Sequence, residues 1–94
     1  MLKINTTEAI KISKVLSDKN RIEIIKQLSD EEICACNLLE HLKIKQPTLS
    51  HHMKQLSEAK LVTINKKSTW SYYTLNKEKI NEYIKFIEEC TKQK

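Results

Sequence analysis

The 94-residue chain contains no glycine. That excludes a glycine-rich phosphate cradle, whether the G-x-G-x-x-G turn of dinucleotide sites or a P-loop. No long apolar run is present, so no membrane-spanning segment is expected. Residues 1–15 are lysine-bearing and amphipathic, without the continuous apolar stretch of a secretory signal, and the expected location is the cytoplasm. Cysteine is scarce and odd in number: three residues, which in a reducing compartment do not make a disulfide framework. There is one proline, and of five aromatic residues three fall within positions 70–73. No internal repeat, low-complexity linker or second domain is visible, so residues 1–94 are read as one domain with a small core.

What is present is charge and amphipathic pattern. Seventeen Lys+Arg against 12 Asp+Glu give a net charge of +5, an excess that favours a polyanionic partner. Asn5 and Glu8 are spaced as a capping box, opening a first helix that runs to about Leu16 with Ala9, Ile12 and Leu16 on one face. Asn20 and Glu23 repeat the capping pattern ahead of a second helix, whose stripe is Ile22, Ile25 and Leu28; Ile24 lies off that stripe, implying burial on more than one side. Asp30, Glu31 and Glu32 suit the positive end of a third helix, which places Cys34, Ala35 and Cys36 in its first turn and Leu38, Leu39 and Leu42 on its packing face.

After the short turn Lys43-Ile44-Lys45, residues Gln46 to Glu58 form a fourth helix. Pro47 suits its first turn, and Leu49, Met53 and Leu56 share a buried stripe. The other side offers Gln46, Thr48, Ser50, His51, His52, Lys54 and Gln55, short donors and a lysine suited to base edges and phosphates. His51 and His52 diverge around the helix, which makes them a poor chelating pair and better polar contacts. Two short helices joined by a tight turn, the second polar and basic outside, are a helix-turn-helix over about residues 33–58.

Beyond Lys60 the pattern becomes β. Residues 61–64 and 70–75 are β-rich and Asn65–Thr69 is a polar connector, so a hairpin wing is expected over about residues 61–75, with Lys66 and Lys67 at its tip in reach of phosphate. Trp70, Tyr72 and Tyr73 are either a stacking platform for single-stranded bases or, the expected role, anchors of the hairpin on the helices. Asn76 caps a last helix over about residues 77–91, with Ile80, Tyr83, Ile84 and Ile87 on its apolar stripe. In so small a domain this face and that of the first helix cannot both be covered, which points to a homodimer presenting two reader helices to a two-fold site on double-stranded DNA. The expected fold is therefore mainly α with a β-hairpin, a winged helix-turn-helix.

The segments ICACNLLEHL, QPTLSHHMKQLSEAKLV and WSYYTL together resemble the arsenic-repressor (ArsR/SmtB) family of bacterial transcription regulators, over nearly the whole chain. The resemblance implies a homodimeric repressor released from its operator by a metal or metalloid, with no resident cofactor and no enzymatic activity. It further implies that the Cys-x-Cys pair, Cys34 and Cys36, is the sensing site. Lys60 stands where the family usually has glycine, and Asn37 where aspartate is common. Leu39 occupies the position of a third cysteine found in some members, so any third ligand comes from elsewhere. Zinc-sensing relatives use His and acidic ligands on the last helix; residues 77–90 here contain no His or Asp, only four Glu, and that hard-ligand site is rejected.

Soft thiolates at Cys34 and Cys36 suit trivalent arsenic or antimony. Residues i and i+2 of an α-helix point about 200° apart, so chelation within a helical first turn requires that turn to unwind, with consequences for the fourth helix packed beside it. Cys90 either fills the dimer interface, the expected role, or supplies a third sulfur. The alternatives are a sensor of cadmium, lead, zinc or another thiophilic ion, which wants four ligands where three sulfurs are available, or a thiol-redox sensor. A thiol-dependent reductase is the remote alternative, and it lacks the anion-binding loop that such chemistry needs.

Overall fold

The computed structural model describes residues 4–29 and 31–92. Asp30, expected at the start of the third helix, lies outside the described residues. In chain order the elements are α1 (Thr6–Val15), α2 (Lys19–Gln27), β1 (Ile33–Cys34), α3 (Ala35–Leu42), α4 (Gln46–Glu58), β2 (Val62–Lys67), β3 (Trp70–Leu75) and α5 (Lys77–Lys92). The expected winged helix-turn-helix is present, with one strand that periodicity did not reveal.

Helix α1 opens with the capping box: Asn5 Oδ1 accepts from the Glu8 amide at 2.8 Å, and Glu8 Oε1 accepts from the Asn5 amide at 3.3 Å. It buries Ala9, Ile12 and Val15. Helix α2 differs from expectation at its start. Its N-cap is Asp18, whose carboxylate accepts from the amides of Asn20 (2.8 Å) and Arg21 (3.2 Å), so Asn20 is already inside the helix. The expected stripe is also shifted. Ile24 and Leu28, at i and i+4, are fully buried, Ile25 packs partly against the core, and Ile22 is exposed.

The segment after α2 corrects the third helix. Glu31 and Glu32 precede a strand rather than begin a helix, and Ile33 and Cys34 pair antiparallel with β3, Ile33 opposite Tyr73 and Cys34 opposite Tyr72. The sheet order is β1-β3-β2. Helix α3 starts only at Ala35, with Cys34 as its extended N-cap (φ −71°, ψ 142°). The glycine-free turn to α4 is made by Lys43, which takes the left-handed conformation (φ 56°) and donates its amide to the Leu39 carbonyl at 2.9 Å.

Helix α4 has the expected bounds and buries Leu49, Met53 and Leu56 against α2, α3 and β2. Its end is a Schellman motif. Lys60 is left-handed (φ 65°), its amide donates to the Ser57 carbonyl (2.9 Å), and the Leu61 amide donates to Leu56 (3.0 Å). Leu56 and Leu61 are both fully buried, supplying the apolar contact that accompanies this motif. Asn76 clamps the turn from across the wing. Its Nδ2 donates to the Lys60 carbonyl (3.0 Å), its amide donates to Leu61 (2.8 Å), and its Oδ1 caps α5 through the Lys79 amide (3.2 Å).

The wing strands are longer than expected. β2 continues to Lys67, which pairs with Trp70, so the connector is only Ser68-Thr69, and Lys66 and Lys67 sit on the strand rather than in a loop. Of the three clustered aromatics only Tyr73 is an anchor in the core; Trp70 is 45% exposed and Tyr72 is half-buried, which corrects the expected role of those two. Helix α5 has no fully buried residue. Ile80, Tyr83 and Phe86 pack on the core, Tyr83 Oη shares a 2.7 Å hydrogen bond with Ser13 Oγ of α1, and Ile84 and Ile87 are exposed. Ile10 of α1 is exposed as well.

Candidate DNA-reading face and thiol site

The outer face of α4 carries Gln46, Thr48, Ser50, His51 and Lys54, all exposed. Gln46 Nε2 donates to Ser50 Oγ at 3.2 Å, holding two of these side chains together one helical turn apart. An open groove bordered by Ser50, Lys54 and Ser57 on one side and Ile64 and Ser71 on the other separates this face from the wing. Lys66 and Lys67 are exposed on β2 beyond it. The polar face of α4 and the wing lysines are therefore exposed on either side of one open groove.

His52 does not belong to that face. It is 6% exposed and lies in the core beside Leu49 and Met53, which corrects its expected place among the outward polar residues. Its Nδ1 accepts a hydrogen bond from Arg21 Nε at 3.2 Å and stands 4.0 Å from Asp18 Oδ1. Burial, and secondarily the charges of Arg21 and His51, hold its pKa below the ordinary value, with Asp18 opposing. For Asp18 itself, burial works against ionisation. The Arg21 and Asn20 amides and the charges of His52 and Arg21 outweigh it and hold the carboxyl below its usual range. His41 is exposed, as expected.

Lys67 is not a bare arm. Its Nζ donates to Glu32 Oε1 at 2.7 Å and lies 5.0 Å from the centroid of the Tyr72 ring. The hydrogen bond to Glu32 raises the lysine pKa and depresses that of the carboxyl. Glu32 is two residues ahead of Cys34, so this pair ties the wing to the segment carrying the first thiol.

Cys34 is buried and Cys36 half-buried, with Cα atoms 5.2 Å apart and the two sulfurs joined as a disulfide. The expectation that the cysteines form no disulfide framework is untouched by a pairing between residues two apart. The pairing is local and closes too short a loop to act as a framework. The expected obstacle to chelation also disappears. Because Cys34 is an extended N-cap and only Cys36 is helical, both sulfurs meet without unwinding α3. Cys34 Sγ also accepts from the Cys36 amide at 3.3 Å, so the first sulfur caps the helix that follows. Cys90 is free and exposed near the end of α5. Among the described residues no group of three or more His, Cys, Asp or Glu side chains is gathered as a metal site.

A family profile described as "bacterial regulatory protein, arsR family" matches residues 18–63, which span α2, the helix-turn-helix and the start of the wing. The arsenical resistance operon repressor of Staphylococcus xylosus is 54% identical over 78 residues, covering 83% of this chain and 71% of that protein. The chain belongs to the arsR family. The arsenical resistance operon repressor of Staphylococcus aureus is also 54% identical, over 65 residues, covering 69% of this chain but only 62% of the relative. Among solved structures, HlyU from Vibrio cholerae N16961 superposes with a TM-score of 0.74 at 26% identity, covering 94% of this chain and 98% of the other. The family and the fold are those of DNA-binding transcription regulators, not enzymes. No helix among the described residues is long and apolar enough to cross a membrane.

Spacing leaves Asp18 and Arg21 unmarked, and it marks Glu32 only as part of a helix start, not as the partner of Lys67. Arg21 and Glu32 act through partners distant in sequence: Arg21 through His52, Glu32 through Lys67. Only Asp18 left a local signal, as a short acid immediately ahead of a helical run.

Proposed function

We propose that the protein is a homodimeric repressor of arsenical-resistance genes that works in the cytoplasm and leaves its operator when trivalent arsenic or antimony binds the thiolates of Cys34 and Cys36. The observation that carries this reading is the meeting of the two sulfurs at the N-cap of α3, one short helix ahead of the exposed polar face of α4. Gln46, Thr48, Ser50, His51 and Lys54 contact the duplex from α4, and Lys66 and Lys67 contact phosphate from the wing. The names of the two staphylococcal relatives support the inducer class. The exposed Ile10, Ile84 and Ile87 support a dimer built on α1 and α5.

In the reduced form the two thiolates are soft donors placed side by side, two of the two or three sulfurs that trivalent arsenic favours. Cys90 either lies in the dimer interface or contributes the third sulfur. Binding at Cys34 acts in two directions. It perturbs the cap of α3, which packs on α4, and it perturbs the β1–β3 pairing that carries the wing. Release requires that the ligand prefer the weakly binding geometry, by ~1–3 kcal/mol in typical allosteric proteins.

The test is release from a duplex taken from upstream of the protein's own gene, titrated with arsenite and antimonite under reducing conditions. Cys34→Ser and Cys36→Ser should each retain DNA binding and lose release. Arsenite release that survives both substitutions sinks the proposal. Cys90→Ser with unchanged arsenite affinity and release assigns Cys90 to the interface. A second reading, a thiol-oxidation sensor, is favoured by the Cys34–Cys36 pairing itself. Release by peroxide with no response to arsenite selects it. Release by cadmium in preference to arsenite selects a divalent-ion sensor.

A further inference from the structure

His52 is the only buried polar or charged side chain among the described residues, and it is on the helix that presents Ser50 and His51 outward. The rest of the buried face of α4, Leu49, Met53 and Leu56, is held by apolar contact, which is non-directional. The His52–Arg21 bond is directional. Arg21 is itself fixed on several sides. Its Nη1 donates to the Val15 carbonyl at the end of α1 (3.2 Å), its Nη2 lies 4.0 Å from Asp18, and its own amide is capped by the same carboxylate. One guanidinium thus joins the end of α1, the start of α2 and the middle of α4.

We propose that His52 is a positioning residue for DNA recognition: its bond to Arg21 sets the rotation of α4 about its own axis, and so the aim of the side chains that read bases. The proposal rests on the reading of α4 as the DNA-contacting helix. A helix is about 10–12 Å across with side chains, so a turn of roughly 20° moves a side-chain tip by about 2 Å. That displacement is several times the width of the hydrogen-bond distance range, and base-edge contacts are lost. Lysine contacts to phosphate tolerate it, because a long flexible stem carries a point charge. Loss of the bond should therefore reduce preference for the operator and leave affinity for random DNA in place.

The variants His52→Asn and His52→Gln separate this role from simple packing. The Asn amide oxygen can replace Nδ1 as acceptor, whereas the Gln oxygen is one bond too far. Operator and random duplexes are titrated by fluorescence anisotropy at one salt concentration, with folding checked by circular dichroism at the assay temperature. H52Q should lower the operator-to-random affinity ratio by about tenfold, the equivalent of ~1.4 kcal/mol, with random-DNA affinity unchanged. H52N should restore the ratio. Arg21→Lys keeps the charge beside Asp18 but has no Nε donor, and it should reproduce H52Q should that variant fold poorly. A folded H52Q or R21K with the wild-type ratio overturns the proposal, as does equal loss on both duplexes or an H52N as damaging as H52Q. Ser50→Ala and His51→Ala run alongside. If they narrow the ratio while H52Q does not, the positioning role fails alone. If they too leave it unchanged, it is the assignment of α4 that fails.

Discussion

Lys60 occupies the left-handed position of a Schellman motif with φ 65°, in a chain with no glycine to relieve it. A non-glycine residue pays ~1–2 kcal/mol for that conformation through the approach of Cβ to the following carbonyl. Glycine would remove the clash but lose ~0.5–1 kcal/mol through the greater freedom of its unfolded chain. The Lys60 side chain is exposed, and every bond that clamps this turn uses backbone atoms of residue 60. Lys60→Gly should therefore stabilise the fold by about 0.5–1 kcal/mol, or roughly 2–8 °C in Tm for a domain of this size. The assay is urea unfolding followed by circular dichroism at one fixed protein concentration, since dimerisation would make stability concentration-dependent. Lys11→Gly is the control. Lys11 is exposed within α1, where glycine costs about 1 kcal/mol. The two substitutions make the same chemical change and should shift the midpoint in opposite directions. A Lys60→Gly that destabilises as Lys11→Gly does would refute the argument, because the sign is then not set by φ.

On the wing, Lys66→Ala should weaken operator and random DNA alike and lower the salt slope by about 1; Lys67→Ala should cost less, because its ammonium must first leave Glu32, and Glu32→Gln should tighten binding to both duplexes. Salt-dependent anisotropy measures all three, and a Lys67 effect equal to that of Lys66 would show that the ion pair is not retained in solution. The depressed pKa of buried His52 sets a pH dependence of stability. The neutral form is favoured by folding, so its contribution is complete above the ordinary value of 6.5 and is lost as pH falls through the lower folded value. Urea midpoints of the wild type should fall on acidification in that window, while His52→Asn, which does not titrate, should show a shallower fall. Parallel curves for the two proteins would assign the acid sensitivity elsewhere.

The parts of the fold that were legible in sequence are those with enough length to show a period. Helix α4 could be bounded at both ends because Pro47 marks its start and Leu49, Met53 and Leu56 repeat through it. The α1 capping box was visible because both partners are three residues apart. β1 was not, because two residues have no periodicity and their partners, Tyr72 and Tyr73, are nearly 40 positions away. The acids at 31 and 32 then looked like a helix start for lack of a competing signal. Lys66 and Lys67 read as loop because strand propensity disfavours lysine, yet cross-strand pairing with Ser71 and Trp70 on an exposed hairpin tolerates them. His52 followed its polar neighbours outward on paper. Yet position 52, three after Leu49 and four before Leu56, lies on the buried stripe of the helix, and Arg21, 31 residues earlier, supplies the polar partner that the ring needs there. Spacing and family resemblance mark the thiol pair, but its geometry is hidden for the same reason as β1: the backbone at Cys34 is fixed by a tertiary pairing.

That correction limits how the proposed switch can work. Cys34 is at once a strand residue paired with Tyr72, the N-cap of α3 and a buried side chain. A ligand that takes its sulfur competes with the cap, and losing an N-cap costs ~0.5–2 kcal/mol. A thiol is a weaker acceptor than the hydroxyls and carboxylates on which that range is based, so the lower part applies. The Glu32–Lys67 pair adds little, because an exposed ion pair contributes ~0–1 kcal/mol. One site therefore supplies ~1 kcal/mol, less than a tenfold change in affinity. Two identical sites acting on one two-fold operator would double that, to about thirtyfold. A larger release would have to come from the packing between α1 and α5 of the two protomers, with the sulfurs acting as the trigger and the dimer geometry carrying most of the energy.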